Sequence, residues 1–201
     1  MNRKMSNLDL KIVVLGPAFV GKTSIINRYC NETFIPETYS SIGASFLHKV
    51  LTVDNIEINA MIWDTAGEER FRSVAPSLLR GANGLVLIFD LTCLNTFQCI
   101  DTYMQMFLDT YNVNPNATLP ILLLGNKCDL IPVITENQIE EWKRKNKVVY
   151  SHLVSAKTGH NVEAALSDFI RSLISPASSI DSLPIQIILN HPESEKKKQC
   201  C

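Results

Sequence analysis

The stretch KIVVLGPAFVGKTSIINRYC, residues 11–30, constrains the fold of this chain more than any other. A short apolar run rich in β-branched residues ends at a glycine, GPAFVGKT (16–23) fits the pattern G-x-x-x-x-G-K-[ST], and helix-permissive residues follow. Strand, loop and helix are thus expected in that order. Gly16 and Gly21 permit backbone conformations that turn successive N–H groups toward phosphate oxygens. Lys22 can reach β- and γ-phosphates, and the Thr23 hydroxyl suits Mg²⁺. The plain alternative is a glycine turn with an exposed lysine; the spacing and both flanks argue against it.

Further along, FLHKVLTV (46–53) and IEINAMIW (56–63) flank Asp54-Asn55 and predict a hairpin. GLVLIFDL (84–91) and PILLLGNK (120–127) read as strands buried on both faces. Helical patterns lie at about 96–111, 135–146 and 161–174, with Thr135 and Asn161 as N-caps. Strands alternating with helices predict an α/β domain with a mostly parallel sheet, one antiparallel edge strand and helices on both faces. Beyond Ile174 the amphipathic period stops, so residues 1–174 are assigned to the domain and 175–201 to a flexible tail.

The 201 residues suit one such domain plus a tail. A net charge of −1 supplies no basic field for duplex nucleic acid, which is not expected as a partner. Four of the six cysteines, Cys30, Cys93, Cys99 and Cys128, lack metal-ligand spacing and read as reduced thiols filling small core positions. The N-terminal apolar run breaks at Gly16, too early for a secretory core or a membrane span, and Asn2 does not fit N-myristoylation. NET (31–33) and NAT (116–118) match glycosylation acceptors by chance on this reading.

Three further motifs carry chemistry. NKCD (126–129) closes a buried strand and brings Asn126 and Asp129 to the carboxyl edge of the sheet, where open α/β sheets bind ligands. The Asp129 carboxylate can accept from guanine N1–H and the exocyclic amine, donors that adenine does not present together. SAK (155–157) follows the last predicted strand, where a backbone N–H near Ala156 can meet guanine O6; alone it is equally a solvated loop. DTAG (64–67) ends the third strand, so Asp64 can hold Mg²⁺ through water and the Gly67 N–H can face a γ-phosphate. Ser41, in SSIG, is a second hydroxyl candidate for the ion or an ordinary turn serine.

These motifs, in this order across residues 16–157, make the chain resemble a Ras-superfamily small GTPase of the Rab family. IGASF (42–46), WDTAGEERFRS (63–73), RGA (80–82), IFDLT (88–92) and two terminal cysteines carry the Rab likeness, and IGASF with SVAPSLLRGA points toward the early-endosomal branch. The resemblance implies a GTP/GDP switch in vesicle traffic that hydrolyses GTP with Mg²⁺. It implies phosphate contacts from Gly16, Ala18, Phe19, Val20, Gly21, Lys22, Thr23, Ser24 and Gly67. The base and ribose side would use Asn126, Lys127, Asp129, Ser155, Ala156 and Lys157, with Phe34, seven residues before Ser41, against the guanine edge. Metal ligation falls to Thr23, Ser41 and Asp64, and catalysis to Glu68, Lys22 and Gly67. Implied partners are an exchange factor, a GTPase-activating protein, effectors, an escort protein and a GDP-dissociation inhibitor, acting on a monomer. Cys200 and Cys201 resemble a double geranylgeranylation signal that would hold the protein on the cytoplasmic face of an endosomal or vesicular membrane, cycling with the cytosol. Lys196, Lys197 and Lys198 would add attraction to an anionic leaflet.

Departures from the family pattern qualify this. The first-switch metal ligand, usually threonine, is Ser41; Phe19 is bulky for a phosphate loop; and Leu78-Leu79 replaces a tyrosine pair whose first member joins Phe46 and Trp63 in effector recognition. Position 68, usually glutamine, is Glu68, which when ionised can only accept a hydrogen bond and adds charge beside a polyanion. Slow unaided hydrolysis is expected unless Glu68 faces solvent. A hydrolysis-poor, nucleotide-loaded scaffold and a small-metabolite kinase remain as rival readings, although the kinase gives no reason for NKCD or the terminal cysteines.

Overall fold

The computed structural model describes residues 7–36, 44–53, 55–65, 75–111 and 120–174. Six strands form one sheet in the order β2-β3-β1-β4-β5-β6. They are β1 (Asn7–Leu15), β2 (Ala44–Val53), β3 (Ile56–Thr65), β4 (Gly84–Asp90), β5 (Ile121–Asn126) and β6 (Tyr150–Leu153). β2 runs antiparallel to β3 at one edge, and every other pairing is parallel. The expected hairpin is therefore present, with Asp54 itself outside the described residues.

Every residue of β4 and β5 is buried, as continuous apolar runs require when both faces are covered. One face carries α1 (Lys22–Asn31) and α6 (Val162–Ile174). α6 buries Val162, Ala165, Leu166, Phe169 and Ile170, the stripe that a 3.6-residue period lays on one side. The Tyr29 hydroxyl and Ser167 Oγ, 3.1 Å apart, join the two helices inside this layer. The other face carries α4 (Ile100–Tyr111) and α5 (Glu136–Asn146), preceded by the short helices α2 (Ala75–Leu79) and α3 (Leu94–Gln98). There the Trp142 indole donates to Asp101 Oδ1 at 2.7 Å.

Thr135 caps α5 as expected, in a reciprocal box with Gln138. Other expectations need correction. The helix read over 96–111 begins at Leu94 and divides at Cys99, whose carbonyl is shared between the N–H groups of Thr102 (3.0 Å) and Tyr103 (3.4 Å). Asn161 precedes α6 at φ 57, and its side-chain amide donates to the Leu153 carbonyl at 3.3 Å, so it fastens the turn to β6. The thiols divide: Cys30 and Cys128, partly buried, pack against the two cores, Cys93 is half-buried and Cys99 is exposed. Residues 175–201, read as a tail, lie outside the described set.

Candidate functional site at the carboxyl edge of the sheet

Gly16 leaves β1 at φ 154 with its α-carbon so close to β4 that a Cβ would collide with the Ile88 carbonyl oxygen. The following loop folds over its own lysine. Lys22 opens α1 with little exposure (6%), and its Nζ donates to the Pro17 carbonyl at 2.8 Å. Burial lowers its ammonium from the ordinary range to about 8, with Asp64 opposing the shift. Phe19 takes φ 62 and is 77% exposed, so the bulky ring stands clear of the fold at the outside of the loop.

Across the edge, the buried Thr65 hydroxyl donates to the Val14 carbonyl at 2.7 Å and fixes the end of β3 to β1. That register aligns Val14 with Asp64. Asp64 is 2% exposed and accepts from the Thr23 hydroxyl through Oδ2 at 2.6 Å. Its Oδ1 is buried without a hydrogen-bond partner among the described residues. Burial raises the carboxyl above its ordinary range, with the Thr23 hydrogen bond and Lys22 opposing. A buried carboxylate with one unsatisfied oxygen beside a hydroxyl fits a hard divalent cation.

The second half of the site hangs from the ends of β5 and β6. Asn126, 2% exposed, donates from Nδ2 to the Val20 carbonyl at 2.8 Å and accepts at Oδ1 from the Ala156 N–H at 3.1 Å. One amide thereby joins the phosphate loop to the SAK loop. Gly21, at φ 92, makes room for it: a Cβ there would collide with Asn126 Nδ2. Asp129 is exposed, and its Oδ1 accepts from Ser155 Oγ at 2.6 Å, while that same Oγ also accepts from the Thr158 N–H at 3.1 Å. Lys127, at φ 68, reaches back to the buried Asp90, with Nζ 2.6 Å from Oδ2. Burial pushes the Asp90 carboxyl up, but hydrogen bonds from Lys127 and Thr92 outweigh it and hold the group below its ordinary value.

The sequence-derived residues Gly16, Gly21, Lys22, Thr23 and Asp64 thus gather at the phosphate end, and Asn126, Lys127, Asp129, Ser155 and Ala156 at the base end. Phe34 packs partly buried against the α1/α6 core, and Ala18 and Ser24 are half-buried in the phosphate unit. Within the loop expected to meet guanine O6, the Ala156 N–H itself is engaged by Asn126 Oδ1. Ser41, Gly67, Glu68, Cys200 and Cys201 lie outside the described residues. Leu79 is fully buried, while Phe46 and Trp63 form a tilted ring pair with centroids 5.1 Å apart. Two site residues escaped the sequence reading, Arg28 and Asp90. Asp90 ends a buried strand as Asn126 does, a signal that was available in IFDLT; Arg28 has none.

A phosphate loop after β1, a buried acid at the end of β3 and a base-side pair after β5 and β6 are the parts of a P-loop GTPase, arranged on the sheet that such a protein needs. The Ras family profile matches residues 11–175, and the chain belongs to the Ras superfamily of small GTPases, in its Rab family. It is 36% identical over 178 residues to the Ypt/Rab-type GTPase YPT7 of Saccharomyces cerevisiae, covering 87% of this chain and 85% of the yeast protein. Over 200 residues it is 35% identical to the Ras-related protein Rab7 of Drosophila melanogaster, covering 95% of this chain and 96% of that protein. With the Ras-related protein Rab-7b of Bos taurus it shares 33% over 195 residues, 96% and 97% of the two chains. The early-endosomal placement finds no support in these relatives. The protein is a Rab-type switch in vesicle trafficking that hydrolyses GTP, and Ras-superfamily GTPases in general bind GTP or GDP with Mg²⁺.

Proposed function

We propose that this Rab-type switch reads guanine with Asp129 and holds the β- and γ-phosphates with Lys22 and the loop from Gly16 to Ser24. Thr23, Ser41 and Asp64 form the Mg²⁺ set, where the bound ion supplies positive charge to the phosphates. The observation that carries the reading is the pair of hydrogen bonds by which Asn126 joins Val20 and Ala156, since it makes one rigid unit of the two loops that a nucleotide must touch together. Gly67 senses the γ-phosphate and Glu68 stands beside the attacking water, where a carboxylate lacks the donor an amide offers, so unaided turnover is slow.

The relatives favour a Rab7/Ypt7-type branch over the early-endosomal one. Cys200 and Cys201 take geranylgeranyl groups, and the two chains together give the stable anchoring that one does not. The protein then cycles between cytosol and the cytoplasmic face of an endomembrane. An escort protein, a dissociation inhibitor, an exchange factor, a GTPase-activating protein and effectors serve that cycle. The PIQIILN stretch (184–190) of the tail offers aliphatic side chains to the escort and inhibitor proteins.

Asp129→Asn tests the base assignment. The parent binds GTP in preference to ATP, and the variant loses GTP while gaining xanthosine triphosphate, whose C2 oxygen suits an amide donor. Equal binding of ATP and GTP by the parent removes the reading. The exposed Phe19 and the acid at position 68 favour a second reading, a scaffold that exchanges but barely hydrolyses GTP. Single-turnover hydrolysis with and without an activating protein separates the two.

A further inference from the structure

Arg28 lies near the end of α1, and its guanidinium crosses to the loop after β6. Nε donates to the Ala156 carbonyl at 2.9 Å, Nη2 to the Lys157 carbonyl at 3.0 Å and Nη1 to the Glu32 carbonyl at 2.7 Å. Glu32, left-handed at φ 58, returns its N–H to the Arg28 carbonyl at 3.1 Å and closes the helix. Gly159, at φ 83, faces the stem, where a Cβ would lie 3.6 Å from Arg28 Cδ. The fork of a guanidinium has donors in fixed directions, so holding two successive carbonyls fixes the peptides that carry them.

We propose that Arg28 is a positioning residue for base recognition: by gripping the Ala156 and Lys157 carbonyls it aims the Lys157 N–H at guanine O6. A trans peptide points its C=O and N–H in opposite directions, so drawing the Ala156 carbonyl toward Arg28 turns the Lys157 N–H away from it. The neighbouring donors are already engaged, Ala156 N–H with Asn126 Oδ1 and Thr158 N–H with Ser155 Oγ. From Ser155 to Thr158, the Lys157 N–H is the backbone donor left without a partner among the described residues. This rests on the guanine reading above. It also links phosphate and base recognition, because α1 starts at Lys22 and Thr23 and ends at the clasp.

The test uses the full chain with GDP, ADP and 2-aminopurine riboside 5′-diphosphate, which keeps the exocyclic amine, sugar and phosphates of GDP but has no oxygen at C6 and no hydrogen at N1. The parent prefers GDP to the analogue. Arg28→Ala weakens GDP about tenfold, the scale of one hydrogen bond, and leaves the analogue nearly unchanged, so the preference shrinks by that factor and the part owed to Asp129 and N1–H remains. Arg28→Lys, with a charge but no fork, falls between the two. Equal losses for GDP and the analogue mean that Arg28 only stabilises the fold and overturn the proposal, as does an unchanged preference in Arg28→Ala. A parent that fails to distinguish GDP from ADP overturns the base reading itself and the proposal with it.

Discussion

The Thr23 hydroxyl and Asp64 Oδ2, 2.6 Å apart, tie the first turn of α1 to the end of β3, while Asp64 Oδ1 stays buried without a donor among the described residues. Burial raises the Asp64 carboxyl. A raised acid contributes stability below its ordinary value and loses it as pH rises through the raised one, so above that raised value the ionised group opposes folding when no cation balances it. Asp64→Asn is expected to raise the melting temperature of the nucleotide-free protein in chelator and to abolish the slowing of GDP release by Mg²⁺. Calorimetry and release kinetics read both, and a lower melting temperature contradicts the account.

Lys22 gives a pH dependence of the opposite kind. Its folded value of about 8 lies below the ordinary 10.5, so between these the unfolded chain holds a proton that the folded one lacks. Stability of the nucleotide-free protein therefore rises with pH across that window. Phosphates beside Lys22 restore the proton, so GDP binding near pH 9 takes up close to one proton. Binding enthalpies in buffers of different ionisation heat measure this uptake, and a slope of zero rejects it.

Asn126→Ala removes both ends of the bridge and leaves the Val20 carbonyl and the Ala156 N–H without their partner. Each unpaired buried group costs about 1–3 kcal/mol. GDP release should accelerate at least tenfold with a lower melting temperature. Asn126→Asp should be worse, because its new oxygen faces the Val20 carbonyl. Stopped-flow release of a fluorescent GDP separates the two variants, and equal rates count against the bridge.

On the proposal that Glu68 stands beside the attacking water, Glu68→Gln supplies the missing donor and is expected to raise intrinsic hydrolysis about tenfold, or about 1.4 kcal/mol in the barrier. Single-turnover measurement decides it. An unchanged rate indicates a side chain turned to solvent.

Much of this fold is legible because its signals are local. β4 and β5 are unbroken apolar runs, and the phosphate loop and Thr135 cap each declare themselves within a few residues. The division at Cys99 depends on how one carbonyl is shared, and no periodicity encodes that. Asn161 carries the residue type of a cap and its backbone carbonyl accepts from the Ala165 N–H, but nothing in that type announces the bond of its amide to a carbonyl on β6. Arg28 is the extreme case. Within α1 it reads as an ordinary polar helical residue, and its acceptors on Ala156 and Lys157 lie far along the chain.

The place of β1 between β3 and β4 has a consequence for synthesis. The first strand made becomes the centre of the sheet, and its pairing partners, from Glu57 to Asp64 and from Gly84 to Leu87, leave the ribosome much later. Until then the KIVVL stretch has α1 to pack against but no strand to pair with, and non-local parallel pairing is slow to form. The β2–β3 hairpin can close on its own, so the nascent chain gains a template for β1 only when β3 emerges. Slowing translation between β1 and β3 would lengthen the interval in which chaperones must shield that strand.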